Sequence, residues 1–387
     1  MKKSLIALAV MAAAGAASAQ SSVQLYGIAD VWFGSSKTEV SGFPEVSGVA
    51  NSKVRNTVVE SGGVNTSRWG VKGSEDLGGG LKANFNLEQG FNLDNGSNRD
   101  GIEAGKAFGR QAWVGVSGGF GEVQVGKVWT SYDDVRLAAN DTFNANIAAS
   151  NRTWVGYADR TDNGLKYISP SYNGFSGSLT LAFGEDKNTN DAKNNSASSL
   201  TSLGLHYNNG PLVVGFAHQQ QKQNGVNESL FTALPAVGGA QFASLVNFIA
   251  DDFDVALEDR KTTYNLLNGS YNFGVAKLVG GISQVKHSMN VYGEGSGTAE
   301  LKANEFNLGV EVPLAANLNL GLGYARSKTK LEGEDLTKAT GYTGALVYSL
   351  SKRTSVYGAL TQAKLEVEGE SAQVKSTIYA VGVNHKF

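Results

Sequence analysis

The chain has 387 residues and a formal net charge of −2, with 49 glycines, 5 prolines and no cysteine. A charge so close to zero excludes the strongly basic surface that nucleic-acid binding requires, and the lack of cysteine excludes a fold held by disulfides. The many glycines, with abundant Asn, Ser and Thr, also argue against a chain built of several α/β domains.

The first element along the chain is a targeting segment. Met1-Lys2-Lys3 is basic, residues 5–14 are apolar, and Ala17-Ser18-Ala19 fits the small-x-small rule of a signal peptidase site. The apolar stretch is too short to span a bilayer as a helix. The sequence therefore predicts a cleaved signal peptide over residues 1–19 and a single exported domain over residues 20–387.

From residue 22 onward, apolar residues alternate with small or polar ones, which is the period-two pattern of β-strands. Residues 306–312 (FNLGVEV) and 318–324 (LNLGLGY) are clear examples. The second face carries Gly, Ala, Ser, Asn and Thr, which cannot fill a core but suit a wet interior. The bulky face often ends in an aromatic residue. Both features favour a transmembrane β-barrel over a soluble β-sandwich.

Short Gly- or Asn-rich turns alternate with long polar loops, as periplasmic turns and external loops do in such barrels. The pattern predicts sixteen strands, an even number, in an all-β antiparallel barrel. The predicted strands are 22–34, 66–76, 81–91, 109–118, 121–129, 164–173, 175–185, 199–208, 211–221, 260–272, 274–288, 302–312, 315–330, 338–350, 353–367 and 374–387. The long loops include 35–65, 92–107, 130–163 and 222–259.

Loop 222–259 contains apolar residues at helical spacing, namely Phe242, Leu245, Val246, Phe248 and Ile249. They predict either a short helix packed on the barrel mouth or a lid that contacts a neighbouring subunit. The acidic run of residues 251–254 (DDFD) lacks the loop pattern of a dedicated Ca²⁺ site.

Two stretches carry a family resemblance, residues 67–83 (SRWGVKGSEDLGGGLKA) and residues 108–121 (FGRQAWVGVSGGFG). The beginning and end of the mature chain, residues 23–27 (VQLYG) and 385–387 (HKF), match the same family. Together they resemble the Gram-negative general porins, particularly the betaproteobacterial and neisserial branch. The resemblance covers essentially the whole mature chain.

The resemblance implies a sixteen-stranded antiparallel transmembrane β-barrel in the outer membrane, with an inward-folded third external loop. Segment 130–163 stands where this loop belongs. The resemblance also implies a homotrimer, contact with outer-membrane lipids and lipopolysaccharide, and recognition of the last strand by the assembly machinery. The residues of that assembly signal are Tyr379, Val381, Val383 and Phe387.

Strand parity predicts which charged residues face the lumen. Arg68 and Lys72 lie opposite Trp69, and Glu88 and Lys166 also fall on polar faces. A charge on the lipid face would cost about 2–4 kcal/mol at the midplane, which favours the lumen over a solvated rim.

For two further bases, Arg110 and Lys127, a position in the lumen conflicts with strand parity. Arg110 shares a face with Ala112, but it lies at the strand's outer end, where a bulge could turn it inward, and the resemblance makes it a pore residue. Lys127 shares a face with Val125 and is predicted as a pore residue with the same difficulty.

Loop 130–163 supplies the acids Asp133, Asp134 and Asp141. Acids on the loop and bases on the wall would create a transverse field that favours polar solutes. The alternative is a solvated loop with ordinary charges. Inward bases outnumber inward acids on the wall, so the sequence predicts a weak anion preference.

The leading interpretation is a channel for passive diffusion of ions and small hydrophilic solutes. A substrate-selective channel on the same barrel is the alternative, supported by aromatic residues near the loop: Trp129, Tyr132, Trp154 and Tyr157. A plugged structural or adhesin barrel is the third possibility. The four histidines show no nucleophile or metal-ligand spacing, so we predict no enzyme, no cofactor and no metal.

Overall fold

The computed structural model describes residues 22–42, 51–99, 106–186, 197–223, 256–292 and 297–387. The predicted signal peptide, the apolar spacing at residues 242–249 and the acidic run 251–254 lie outside these residues. No helix in the described part of the chain is both long enough and apolar enough to cross a membrane.

Most of the described chain is β-strand. The strands are β1 Ser22–Ser41, β2 Ser52–Ser61, β3 Arg68–Gly78, β4 Leu81–Gly90, β5 Gln111–Gly118, β6 Gly121–Trp129, β7 Arg160–Ile168, β8 Phe175–Phe183, β9 Ser199–Asn209, β10 Leu212–Gln223, β11 Ala256–Asn272, β12 Lys277–Tyr292, β13 Gly297–Ala315, β14 Leu318–Leu331, β15 Glu334–Ser349, β16 Thr354–Val367 and β17 Gln373–Lys386. Each pairs antiparallel with its neighbours.

The sheet closes on itself because β17 pairs with β1, with Val383 opposite Val31 and Tyr379 opposite Ser35. The lower half of β1 pairs with β3 and its upper half with β2. Since β2 and β3 share one position, the seventeen strands form a sixteen-position barrel. The predicted fold is confirmed. Closure leaves no strand edge unpaired, which a bilayer requires.

The two faces of the strands follow the alternation in the sequence. On β13, Phe306 and Leu308 are exposed on the outer surface, while Glu305 and Asn307 are buried inside the barrel. The last strand exposes Tyr379, Val381 and Val383 on its outer face, as the parity prediction requires. Apolar residues therefore contact lipid, and small or polar ones surround the interior.

Several strand boundaries differ from the sequence prediction, among them those of β1, β2, β7 and β13. Residues 52–61 form β2 within the predicted loop 35–65, because they extend the hairpin with the upper part of β1. The segment between β2 and β3 turns inward instead, and Asp30 holds it there. The Asp30 carboxylate accepts hydrogen bonds from Gly63 N at 2.8 Å and Asn65 N at 2.9 Å. β7 begins at Arg160, four residues before its predicted start at 164.

The connection between β6 and β7 folds into the barrel, as predicted for the third external loop. It contains helix α1 (Ser131–Ala138), a turn at Thr142–Asn144 and helix α2 (Ala149–Thr153). Helix α1 packs on the inner face of β8 to β11, and α2 packs on β13 to β16. We call residues 130–159 the inward loop. It leaves the remaining lumen between itself and the wall that carries β3 to β7.

Candidate functional site

Helix α1 lies close to the barrel wall because the wall residues that face it include glycines, which have no side chain. A Cβ atom on Gly204 would come within 2.6 Å of Ser131 O, and one on Gly215 within 2.6 Å of Val135 Cγ1. Hydrogen bonds fix this contact: Tyr132 N donates to Ser202 Oγ at 2.8 Å, and Asn268 Nδ2 donates to Val135 O at 2.7 Å. The helix is therefore attached to the barrel and does not float in the lumen.

The middle of the inward loop turns through three consecutive left-handed residues, Thr142, Phe143 and Asn144, with φ between 47° and 60°. Such backbone is unfavourable outside glycine and persists only when its surroundings impose it. The buried carboxylate of Asp141 does so, accepting hydrogen bonds from Ala149 N at 3.1 Å and Ser150 N at 3.3 Å. Phe143 N donates to Glu311 Oε1 on the wall at 2.8 Å.

Two further contacts, at Asn146 and Val155, also fix the loop. Val155 N donates to the buried carboxylate of Glu305 on β13 at 2.6 Å. On the opposite side, Asn146 Nδ2 donates to Gly62 O at 2.9 Å, in the segment that Asp30 turns inward. These contacts hold the loop across the barrel, so the free cross-section is set by the side chains that remain between loop and wall.

Basic side chains cluster on that wall around a single acid. Arg110 Nε donates to Glu88 Oε1 at 2.7 Å, and Arg68 Nε lies 3.5 Å from Glu88 Oε2. Tyr26 Oη donates to Glu88 Oε2 at 2.9 Å. The carboxylate is nearly buried, whereas a quarter of the Arg68 side chain is exposed. The single carboxylate of Glu88 therefore pairs with two arginines, and the partly exposed guanidinium of Arg68 faces the lumen.

Trp129, at the end of β6, separates two arginines. The Arg160 guanidinium lies 4.2 Å from its ring centroid and the Arg110 guanidinium 5.4 Å. Stacking on an aromatic face stabilises a guanidinium and fixes its plane. Arg160 also pairs with Asp159 at 3.2 Å.

A cavity of about 470 Å³ lies between the inward loop and this wall. Five arginines line it, namely Arg68, Arg99, Arg110, Arg136 and Arg160. The acids that line it are Asp133 and Asp159. Burial, with the negative charge of Asp159 adding to it, raises the pKa of the Asp133 carboxyl to about 7. The cavity is therefore strongly basic, and one of its two acids is only partly ionised near neutral pH.

A β-barrel whose lumen is narrowed by an inward loop, with opposed charges at the narrowing, is the architecture of an outer-membrane channel. A family model described as Gram-negative porin matches residues 5–367. The chain belongs to the Gram-negative porin family. This membership confirms the predicted outer-membrane localisation and the predicted channel function.

The porin resembles known relatives along nearly its entire length. It is 34% identical over 394 residues to outer membrane porin protein 32 of Delftia acidovorans, covering 99% of this chain and 95% of the relative. It is 31% identical over 407 residues to an outer membrane porin protein of Bordetella pertussis, covering 100% of both. These are proteins of the betaproteobacterial type that the sequence motifs resemble.

Solved structures give the same assignment of fold. An anion-selective porin from Comamonas acidovorans superposes with a TM-score of 0.69 at 29% identity, covering 95% of this chain and 100% of that chain. OmpT of Vibrio cholerae, in a trimer form, gives a TM-score of 0.63 at 17% identity, covering 95% of this chain and 99% of that chain. At that identity OmpT supports the fold alone.

The structure brings three of the predicted charged residues of the porin to the cavity: Arg68, Arg110 and Asp133. Arg110 precedes β5, so strand alternation no longer fixes the direction of its side chain. Glu88 lies behind the two arginines as their shared acid. Lys72 lies on the same face as Arg68, with Nζ 5.1 Å from the ring centroid of Tyr26.

The other predicted residues have different surroundings. Lys127 sits at a bulge beside Gly126, whose φ is +131°, and its Nζ contacts Asp162 Oδ1 at 2.6 Å. Lys166 is almost fully buried and pairs with Asp134 at 2.6 Å, which joins β7 to α1. Asp141, predicted as a loop acid at the pore constriction, is completely buried instead. Lys166, Asp134 and Asp141 therefore hold the loop in position, and neither they nor Lys127 line the cavity.

Sequence reasoning missed four charged residues of the cavity, namely Arg99, Arg136, Arg160 and Asp159. Arg160 falls within the predicted loop 130–163, although it begins β7. Arg99 lies within the predicted long loop 92–107, where no periodicity indicates direction. The one available signal was the dense run of Asp159, Arg160 and Asp162 directly before the predicted strand 164–173. Within the described residues, no group of three or more His, Asp or Glu side chains could hold a metal ion.

Proposed function

We propose that this porin passes small hydrophilic solutes by diffusion with a preference for anions, and that the arginine-lined cavity sets this preference. The observation that carries the proposal is the set of five arginines facing two acids in one cavity of about 470 Å³. Charges at such a narrow place lie within one Debye length, about 8 Å at physiological ionic strength, of any ion that passes. The local balance therefore outweighs the net charge of the whole chain.

The relative from Comamonas acidovorans is described as anion-selective, and that property supports the proposal. The position of the Glu88 carboxylate also supports the proposal. Its carboxylate is nearly buried behind Arg110 and Arg68, so a permeating ion meets the guanidinium groups before it meets the acid. A field of fixed dipoles and charges of this kind lowers the barrier for one sign of ion.

The proposal is tested by reconstituting the porin in a planar bilayer and measuring the zero-current potential under a KCl gradient. In the double variant Arg68→Gln/Arg160→Gln we expect a shift toward cation preference. The control is Lys82→Gln, which removes an exposed base near the periplasmic turn between β3 and β4, away from the cavity, and should leave the potential near the wild-type value. Unchanged selectivity in the double variant would reject the arginine cavity as the selectivity site.

A substrate-selective channel remains the second candidate, because Trp129, Trp154 and Tyr157 line the same cavity. One face of each ring already carries an arginine, since Arg136 lies 5.0 Å from the Trp154 centroid and 4.9 Å from that of Tyr157, and Arg160 lies 4.2 Å from that of Trp129. We therefore favour general diffusion. Saturable block of ion current by one class of aromatic or sugar solute would favour the selective channel instead.

We further propose a homotrimer in which the outer faces of β1, β3 and β4 form the protomer contacts, with no catalytic activity. Leu25 and Val23 on β1 expose large apolar surfaces there, at 62% and 69% exposure. Three barrels can bury such a shared apolar wall. Unheated electrophoresis should give a trimer band that heating converts to monomer, and the mass of the porin in mild detergent should be three times that of the chain. A monomeric mass would reject this assembly.

We propose as well that the last strand, with Tyr379, Val381, Val383 and Phe387, is what the outer-membrane assembly machinery recognises. The single domain over residues 20–387 and the cleaved signal peptide remain predictions from the sequence. Mass spectrometry of the protein purified from outer membranes tests both, with a mature chain expected to begin at Gln20.

A further inference from the structure

A second cavity, of about 570 Å³, lies inside the barrel on the periplasmic side of the inward loop. Its rim is formed by the short turns between β11 and β12 and between β15 and β16, which places it at the periplasmic mouth. Val64 and Asn65 line both this cavity and the arginine-lined cavity. A solute that leaves the arginine-lined cavity toward the periplasm therefore meets this second cavity next, and we call it the outlet cavity.

The outlet cavity is lined by more bases than acids. The bases are Lys277, Lys352, Arg353 and Lys386, and the one acid is Glu311. Both oxygens of Glu311 are engaged, since Oε2 lies 3.4 Å from Lys277 Nζ and Oε1 accepts a hydrogen bond from Phe143 N at 2.8 Å. Lys352, Arg353 and Lys386 have no acidic partner within the part of the chain that the structure describes. We call these three residues the unpaired bases.

Strand pairing places one of the unpaired bases close to the arginine-lined cavity. Lys386 lies opposite Ile28 on β1, and Ile28 lies opposite Arg68 on β3. Because neighbouring strands are about 4.8 Å apart, the backbone of Lys386 lies about 10 Å from that of Arg68. Asn384, on the same face of β17, donates to Asp30 Oδ2 at 2.8 Å inside the barrel. The unpaired bases thus extend the positive charge of the arginine-lined cavity toward the periplasm.

Beside these bases the outlet cavity has an apolar patch. Val64, Phe143 and Val347 form it, and each is partly exposed to the lumen. The ring of Phe143 lies against the wall at Gly321, where a Cβ would come within 2.6 Å of its Cε2. Val64 and Val347 pack against the buried cluster that contains Trp32. The patch is therefore fixed by the fold, although the interior around it consists mainly of small and polar residues.

We propose that the outlet cavity binds small amphiphilic anions, in which one carboxylate or sulfonate is attached to a compact apolar body. The anionic group would lie on the unpaired bases and the apolar body on the patch. A guanidinium forms paired hydrogen bonds with a carboxylate, and clustered bases attract an anion from a distance. An inorganic anion would contact only the bases and a neutral solute only the patch, so neither makes both sets of contacts.

The proposal rests on the anion preference proposed above and adds a second binding site in series with the arginine-lined cavity. The volume of about 570 Å³ lies within the range that is usual for small-molecule sites. Because the cavity is open to the lumen, other hydrophilic solutes can still pass. Amphiphilic anions should therefore bind reversibly and interrupt the ion current while they are bound.

The test measures block of ion current through the porin in a planar bilayer. The probe is cyclohexanecarboxylate. Acetate lacks its apolar body, and cyclohexylmethanol lacks its charge. We expect saturable block by cyclohexanecarboxylate, and block by either matched compound that is weaker by at least about tenfold, since each buried methylene contributes about fourfold.

Variants locate the binding site. In Lys352→Gln/Arg353→Gln/Lys386→Gln we expect the half-blocking concentration to rise by at least about tenfold, because each exposed charge contributes up to about fivefold. The matched control Lys53→Gln/Arg55→Gln/Lys338→Gln removes the same charges on the external side and should be blocked as wild type is. Val347→Thr keeps the shape of the side chain but replaces a methyl group by a hydroxyl, and it should raise the half-blocking concentration about fourfold.

Single-channel conductance identifies a variant that fails to fold, and if the triple variant does so, Val347→Thr decides alone. The proposal is overturned if cyclohexanecarboxylate does not block, if the triple variant is blocked as strongly as wild type, or if acetate or cyclohexylmethanol blocks equally well. Block that is lost in Arg68→Gln/Arg160→Gln but kept in the triple variant would assign the anion to the arginine-lined cavity and also overturn it. The zero-current potential tests the anion preference separately, so the two failures can be told apart.

Discussion

Arg110 Nε donates to Glu88 Oε1 at 2.7 Å, and both side chains are nearly buried in the wall of the barrel. The same carboxylate faces Arg68 from 3.5 Å away. This arrangement lets the wall hold two arginines close together without leaving either buried charge unpaired. It also makes Glu88 the residue on which both the stability and the charge of the constriction depend.

The charge of the Glu88 carboxylate should affect both the ion selectivity and the stability of the porin. Glu88→Gln removes the one acid between two arginines, so we expect a larger anion preference in the zero-current potential. The variant should also lose about 3–5 kcal/mol of stability, because a buried arginine is left without its partner. Urea unfolding measures the loss. Glu122→Gln, on the next but one strand, is the control and should change neither property strongly.

Selectivity should also depend on pH through Asp133 in α1. Its pKa is raised to about 7 by burial and by the charge of Asp159. A raised carboxyl pKa means that the group gains a proton as pH falls through about 7, so the cavity becomes more positive. Between about pH 8 and about pH 6 we expect anion preference to increase. In Asp133→Asn this step should disappear, and an unchanged pH profile in that variant would assign the step to another group.

The position of the inward loop should depend on Asp141. Asp141→Ala removes the acceptor for Ala149 N, Ser150 N and Asn307 Nδ2, each worth about 0.5–1.5 kcal/mol. The left-handed turn that follows then loses its support, so we expect higher conductance and more open-channel noise. Asp76→Asn, at an exposed periplasmic turn, serves as the control. Wild-type conductance and noise in Asp141→Ala would mean that the wall contacts alone hold the loop.

The last residue should matter for assembly and for closure of the barrel. The ring of Phe387 lies against Gly27, where a Cβ would approach its Cζ to 2.3 Å, and Phe387 N donates to Gly27 O at 3.0 Å. Deleting Phe387 should lower the yield of heat-modifiable, folded porin in outer membranes. Phe273→Ala, which removes another exposed aromatic at a periplasmic turn, should fold at the wild-type yield. Equal yields for both variants would argue against a recognition role for the terminal residue.

Much of the porin could be read from the sequence because its fold rests on a local pattern. Alternation on β13, for example, places Phe306 toward lipid and Asn307 toward the interior without any reference to distant residues. Where the alternation is weak, the prediction of strands from the sequence was wrong. Residues 52–61 have no regular alternation, and only their pairing with β1 makes them a strand.

The barrel and its membrane faces could be predicted from the amino-acid sequence, since strand parity and short turns are properties of neighbouring residues, and the family resemblance added the outer membrane. Which charges meet depends on the folded barrel. A bulge at Gly126 moves Lys127 out of register, Asp134 neutralises Lys166, and Asp141 is buried by the turn it supports. Arg68, Arg99 and Arg160 are far apart in the chain, and they share one cavity because closure of the barrel and the inward loop bring them together. Such proximity depends on long-range packing, which no local pattern records.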